Sequence, residues 1–133
     1  MGLNRCQLGR ISFLIPNGFV GSLTRNAGDD ALLFSTDKNN TIELRIERDC
    51  EELKQELTIV VRELGKKIIQ PVSVIEVNNI SGYCAAYSGC RTWYYEAWMD
   101  LKDCALRVII RSCADMGIAD AEACFRALDI QVE

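Results

Sequence analysis

Two hydrophobic periods run along this chain and divide it into strands and helices. In TIELRIE (41–47), Ile42, Leu44 and Ile46 alternate with Glu43, Arg45 and Glu47, the period-two pattern of a strand with one face on a core and the other on water. RISFLIPNGF alternates Ile11, Phe13 and Ile15 ahead of Pro16-Asn17-Gly18, a strand running into a turn. ALLFST (31–36) predicts a second strand, joined to 41–47 by the polar residues 37–40. Beyond residue 47 the period becomes helical. Leu53, Leu57, Val61 and Leu64 fall on one stripe of a helix at about 50–66, an apolar seam that must face a core. Asp49 with Glu52 three residues on has the spacing of a capping box. Glu51 and Glu52 at the front and Arg62, Lys66 and Lys67 at the back suit the helix dipole, and Gly65 and Pro71 mark the end.

Four further strands are predicted, at 72–77, 82–88, 92–101 and 104–112. They precede a last amphipathic helix carrying Ile118, Ala121, Phe125 and Leu128. No repeat, low-complexity tract or linker interrupts the chain, so residues 1–133 form one domain. The order β-β-β-α-β-β-β-β-α implies an α+β fold: an antiparallel sheet of about six or seven strands, one long helix after the third strand and a C-terminal helix, layered α/β/α.

The aromatic residues concentrate in 83–113, which holds both tryptophans and every tyrosine. A turn at Lys102-Asp103 pairs residues whose numbers sum to 205, putting Met99 opposite Leu106, Ala97 opposite Val108 and Tyr95 opposite Ile110 on a core face. The other face then pairs Trp98 with Arg107 and Tyr94 with Arg111, with Glu96 diagonal to both arginines. A one-residue slip would destroy both patterns at once. A Gly89-Cys90 turn extends the sheet with residues summing to 179, Tyr87 opposite Thr92 and Tyr83 opposite Glu96, and turns Cys84 and Ala86 toward the core. Tyr83, Tyr87, Tyr94, Glu96, Trp98, Arg107 and Arg111 thus share one face, and Tyr, Trp and Arg are the types enriched at binding hot spots. The structural alternative is that these rings fill space beneath a helix with arginines stacked on them.

Composition narrows the chemistry. A formal net charge of −4 and no basic run argue against nucleic acid, and no apolar run approaches the ~20 residues of a membrane span. The opening MGLNRCQLGR lacks an apolar core, so no secretory signal is expected. The sequence contains no histidine, which removes the usual base for a Ser or Cys nucleophile and the commonest metal ligand. Seven cysteines, none spaced C-x-x-C, read as reduced thiols of a cytoplasmic protein, with neither metal nor other cofactor. The remaining candidates for chemistry are Glu96 beside Arg111 and Tyr94, and a thiol of lowered pKa at Cys90 beside Arg91.

The strand and turn ISFLIPNGF, the single long helix before the hairpins, NNISGYCAAY and the closing FRALDIQVE resemble the Mog1/PsbP-like superfamily, including bacterial DcrB-related domains of unknown function. The resemblance spans nearly the whole chain and implies a binding or adaptor domain, since members serve as a small-GTPase regulator, a photosystem accessory subunit and chaperones of secreted effectors. It brings no catalytic motif. The expected function is therefore a non-enzymatic binding domain meeting a protein partner through the aromatic and arginine face or the loops. The alternative is a small-molecule binder or small enzyme using that face as a pocket wall.

Overall fold

A computed structural model of the chain describes residues 5–23, 31–36, 40–48, 52–65, 67–89, 92–112 and 118–133. Its strands are β1 (Cys6–Leu8), β2 (Ile11–Phe13), β3 (Val20–Leu23), β4 (Ala31–Ser35) and β5 (Thr41–Glu47). Helix α1 (Leu53–Leu64) follows, then β6 (Lys67–Val77), β7 (Ile80–Ser88), β8 (Trp93–Asp100), β9 (Ala105–Ser112), α2 (Ile118–Ala127) and β10 (Gln131–Val132). Seven of these form one sheet in the order β3-β4-β5-β9-β8-β7-β6, and every pairing in it is antiparallel. The other three form a small sheet, β1-β2-β10.

Side-chain alternation assigns each face of the large sheet its cover. On one face Ile42 and Leu44 of β5, Tyr95, Ala97 and Met99 of β8, and Leu106, Val108 and Ile110 of β9 are buried. They pack with Ala121 and Phe125 of α2 and with Leu8, Ile11 and Phe13 of the small sheet. On the opposite face Leu57 and Val61 of α1 bury against Ala85, Tyr87, Trp98 and Ala105, with Leu53, Val60, Val72, Tyr83 and Tyr94 at the margin. The layers are α/β/α as expected, with the small sheet sharing the layer of α2.

Helix α1 is shorter at both ends than the periodicity predicts. Its N-cap is Glu52, which makes no side-chain cap bond; Asp49, the expected cap, lies outside the described residues. At the other end Gly65 donates its N–H to the Val61 carbonyl at 2.9 Å. Leu64, predicted for the buried stripe, is 58% exposed, because the last turn runs past the sheet that covers Leu57 and Val61.

The β8–β9 register is the predicted one: Met99 faces Leu106, Ala97 Val108, Tyr95 Ile110, Trp98 Arg107 and Tyr94 Arg111. The hairpin closes with Leu101 N–H on the Cys104 carbonyl and with Lys102 at φ 78°. The β7–β8 register differs. Tyr87 faces Tyr94 and Tyr83 faces Trp98, two residues along from the expected Thr92 and Glu96. Gly89 N–H donates to the Thr92 carbonyl at 2.8 Å, so the turn closes one residue later than a Gly89-Cys90 turn would. A shift of two preserves the side-chain face; Tyr83 and Tyr87 therefore stay with Tyr94 and Trp98.

Strands β1, β3 and β10 were not predicted, since CQL, VGSL and QV are too short to show a period, whereas the alternation that announced β2 continues beyond it to Ile15. β3 is held by its pairing with β4, and a polar cluster ties the ends of β1 and β10 to the rest. Arg5 reaches the Asp129 carboxylate at 2.9 Å and the Ser12 hydroxyl at 3.1 Å, and also bonds the Asp129 carbonyl. Asn78, in the β6–β7 turn at φ 51°, donates to the other Asp129 oxygen at 2.8 Å and to the Ile130 carbonyl at 2.9 Å. Among the described residues no helix is long and apolar enough to cross a membrane.

Candidate functional site

The sheet face that carries the predicted site is divided by α1. Because α1 packs mainly over β6, β7 and β8, reaching β9 only at Ala105, the seven residues fall into three groups: beneath the helix, at its N-terminal end, and toward the half of the sheet that is bare of helix among the described residues.

Tyr87, Glu96 and Trp98 lie beneath the helix. Trp98 is 3% exposed and Glu96 not at all. Three donors converge on this carboxylate: Tyr87 Oη at 3.0 Å, Trp98 Nε1 at 2.6 Å and Arg107 Nε at 2.9 Å. The Arg107 guanidinium also lies 5.1 Å from the Trp98 ring centroid, within cation–π reach. Burial, reinforced by the charge of Glu96, pushes the Tyr87 hydroxyl far above its ordinary value, so it stays a donor. Every polar atom named here has a partner, and a satisfied network of this kind specifies one packing of helix on sheet. The expected grouping of Glu96 with Arg111 and Tyr94 does not occur; Glu96 is held instead by Tyr87, cross-strand from Tyr94, and by the facing pair Trp98 and Arg107. Cys90 and Arg91 lie outside the described residues.

Tyr83 lines a shallow hollow of about 230 Å³ with Leu53, Val74, Ser81, Gly82 and Asp100, at the N-terminal end of α1. Val74, on the edge strand β6, is among the most exposed apolar residues of the protein.

Tyr94, at the start of β8 and at the margin of the α1 cluster, faces Arg111 of β9 at the border of the half of the sheet formed by β3, β4, β5 and β9. There they line an open trough of about 330 Å³ with Leu33, Thr41, Glu43 and Ile109. The registers order it in rows. Ser35, Thr41, Arg111 and Tyr94 form one cross-strand row, and Leu33, Glu43, Ile109 and Glu96 the next. A third row brings Arg45 directly opposite Arg107, a like-charge pair that is unfavourable by itself. Glu47 offsets it, 3.7 Å from Arg45 Nε and 3.9 Å from Arg107, and Glu96 takes the remaining charge of Arg107. Compensation ends there. Among the described residues, neither the Arg111 guanidinium nor the Glu43 carboxylate is engaged in an ion pair or side-chain hydrogen bond. The Tyr94 ring is fixed from below by stacking on Tyr87, centroids 5.1 Å apart and planes 19° apart.

Leu33, Thr41, Glu43 and Ile109 were absent from the predicted site. Glu43 was already assigned to the polar face of its strand, but its place beside Arg111 depends on β5 pairing with β9, a contact between residues about 65 apart. One signal was available: Ile109 is apolar at a position whose alternation points away from the core.

The described cysteines Cys6, Cys84, Cys104 and Cys124 are free thiols. Burial raises the pKa of Cys84 and of Cys104, and that of Cys124 to about 11, the reverse of what a reactive thiol needs. Among the described residues no cluster of three or more Cys, Asp or Glu side chains is placed to hold a metal ion.

No family model and no curated protein matches the sequence. Solved structures do match the fold. The solution structure of the cyanobacterial PsbP protein CyanoP from Synechocystis sp. PCC 6803 superposes with a TM-score of 0.68 at 13% identity, covering 98% of this chain and 92% of that one. A crystal structure from Bacteroides thetaiotaomicron VPI-5482 superposes with a TM-score of 0.56 at 9% identity, covering 93% of this chain and 45% of that one. Identity this low carries the fold and nothing about activity. The helix-divided antiparallel sheet of this chain is a Mog1/PsbP-like fold.

Proposed function

We propose that this protein is a non-enzymatic binding domain that meets another protein chain with the bare half of its sheet, centred on Tyr94 and Arg111. One observation supports the reading above all: the trough lined by Leu33, Thr41, Glu43, Tyr94, Ile109 and Arg111 is open, mixes apolar floor with unpaired charge, and has a ring anchored at its margin. Protein-recognition surfaces combine these features. A shallow, open trough suits a macromolecular surface better than a small ligand, whose site is normally concave enough to bury most of it. The four free thiols among the described residues suit a reducing compartment, and we assign the protein to the cytoplasm on that ground.

A photo-crosslinking amino acid at position 109 tests this reading against the same probe at position 102, on the exposed tip of the β8–β9 hairpin. Irradiated in the source cell, the probe at 109 should yield discrete protein adducts that Tyr94→Ala weakens. Equal or weaker capture at 109 than at 102 refutes it.

A further inference from the structure

We infer that the partner seated on this trough is a second copy of the same chain, related by a two-fold axis that brings Arg111 of each copy onto Glu43 of the other. The inference rests on the proposed reading of the trough as a protein-binding surface, and it is carried by the arrangement of the unpaired charges. Arg111 and Glu43 occupy adjacent strands and adjacent rows, since Thr41 faces Arg111 and Glu43 faces Ile109 across β5 and β9. Diagonal neighbours of this kind stand ~7–8 Å apart at their backbones, and the two side chains pair neither with each other nor with another charge among the described residues. A two-fold interface apposes a patch to itself, so residue i meets j and j meets i. A patch bearing one free cation and one free anion is then complementary to its own copy, and closes two ion pairs with a single operation.

The apolar residues agree with this placement. An axis lying along the interface and bisecting the Arg111–Glu43 diagonal passes near Thr41 and Ile109. Ile109 then meets its own counterpart close to the axis and loses its contact with water. Arg45 and Arg107 need no partner from outside, because Glu47 and Glu96 already compensate them, so the new contact leaves no charge unmatched. Four strands ~4.8 Å apart and about six residues long present a patch of roughly 400 Å². This is half of the ~800 Å² per partner usual in a stable complex, so the association is weak and concentration-dependent.

Charge exchange tests the geometry. Sedimentation equilibrium on the full chain up to ~1 mM should show wild type moving from monomer to dimer. Arg111→Glu alone and Glu43→Arg alone should each weaken association by at least ~10-fold, since both put like charges face to face twice in every dimer. An equimolar mixture of the two single variants should dimerise again, because each chain then meets its opposite at both contacts. The double variant should also recover. Both side chains are on the surface of the trough, so the variants should keep the wild-type melting temperature, and circular dichroism checks this. Wild type that stays monomeric at ~1 mM, or single variants that remain monomeric when mixed, overturns the inference. Crosslinks from position 109 to a different protein, with wild type monomeric, leave the binding reading standing and remove only the second copy. No crosslinks above the control removes both.

Discussion

Replacing Glu96 by glutamine perturbs the junction between α1 and the sheet at one atom. The carboxylate is fully buried and accepts from Tyr87, Trp98 and Arg107 at 2.6–3.0 Å. Removing one member of a buried ion pair costs ~3–5 kcal/mol. Two features of the site shift that figure in opposite directions. Arg107 keeps 17% exposure of its side chain and has Glu47 at 3.9 Å, so part of its charge finds water or a second carboxylate. The glutamine amide, in contrast, can keep its oxygen toward Trp98 and Arg107 only by turning its NH₂ onto Tyr87 Oη, which then accepts but loses the acceptor of its own proton, leaving a buried polar group unsatisfied at ~1–3 kcal/mol. The expected loss for Glu96→Gln is ~3 kcal/mol. In urea, with a slope of ~1.5 kcal/mol per molar, the midpoint falls by ~2 M. Arg107→Met removes the cation and keeps an apolar stem over the Trp98 ring. The double variant should then cost less than the sum of the two singles by at least ~1 kcal/mol, since the second change removes the unpaired charge that the first exposed. A midpoint shift below ~0.3 M for Glu96→Gln, or additivity within ~0.3 kcal/mol, refutes the account of this network.

On α1, Leu57→Ala should cost ~2–5 kcal/mol in urea unfolding, whereas Leu64→Ala, on the exposed last turn, should change stability by less than ~0.5 kcal/mol. Gly82→Ala should destabilise by more than ~2 kcal/mol, because a Cβ there would stand 2.2 Å from the Trp98 carbonyl oxygen and 2.9 Å from the Met99 Cα, backbone atoms of the adjoining strand that cannot move aside. Asp129 is held below the usual carboxylate range by hydrogen bonds from Asn78 and Arg5. Its stabilising effect is therefore fully present above the unfolded value and lost as pH falls through the lower folded one, so melting curves of wild type and Asp129→Asn should differ at neutral pH and converge in acid below about pH 4. Convergence that is already complete at pH 6 would mean the Arg5–Asp129–Asn78 cluster does not depend on this carboxylate. Iodoacetamide at pH 8 should label the half-buried Cys124 more slowly in the native protein than in urea without prior reduction, because desolvation raises its thiol to about 11; native labelling as fast as in urea on peptide mapping refutes this.

Much of this fold is written in local pattern. The alternation of 41–47 and the opposed faces of 92–112 determine strands, inward side chains and the β8–β9 register, because a register error of one residue would send Met99, Leu106 and Val108 to the wrong face. The stripe of Leu53, Leu57 and Val61 likewise determines a helix and its buried side, and the expected neighbourhood of Trp98 and Arg107 follows from cross-strand geometry. A shift by two residues leaves the pattern unchanged, so the β7–β8 register was decided by the turn rather than by side-chain faces. Strands of two to four residues carry no period, and β1, β3 and β10 exist only through the partners that complete their hydrogen bonds. Position beyond the strand pair is a tertiary matter. No local property of Tyr87, Glu96 or Trp98 distinguishes them from Tyr94 and Arg111 on the same face; α1 does, by where it crosses the sheet, over Tyr87, Glu96 and Trp98 and only to the margin of Tyr94. Which strand receives β5 is equally invisible in the sequence, since any strand with one apolar face satisfies its alternation. That pairing sets Glu43 beside Arg111 and leaves two opposite charges unpaired on an open sheet.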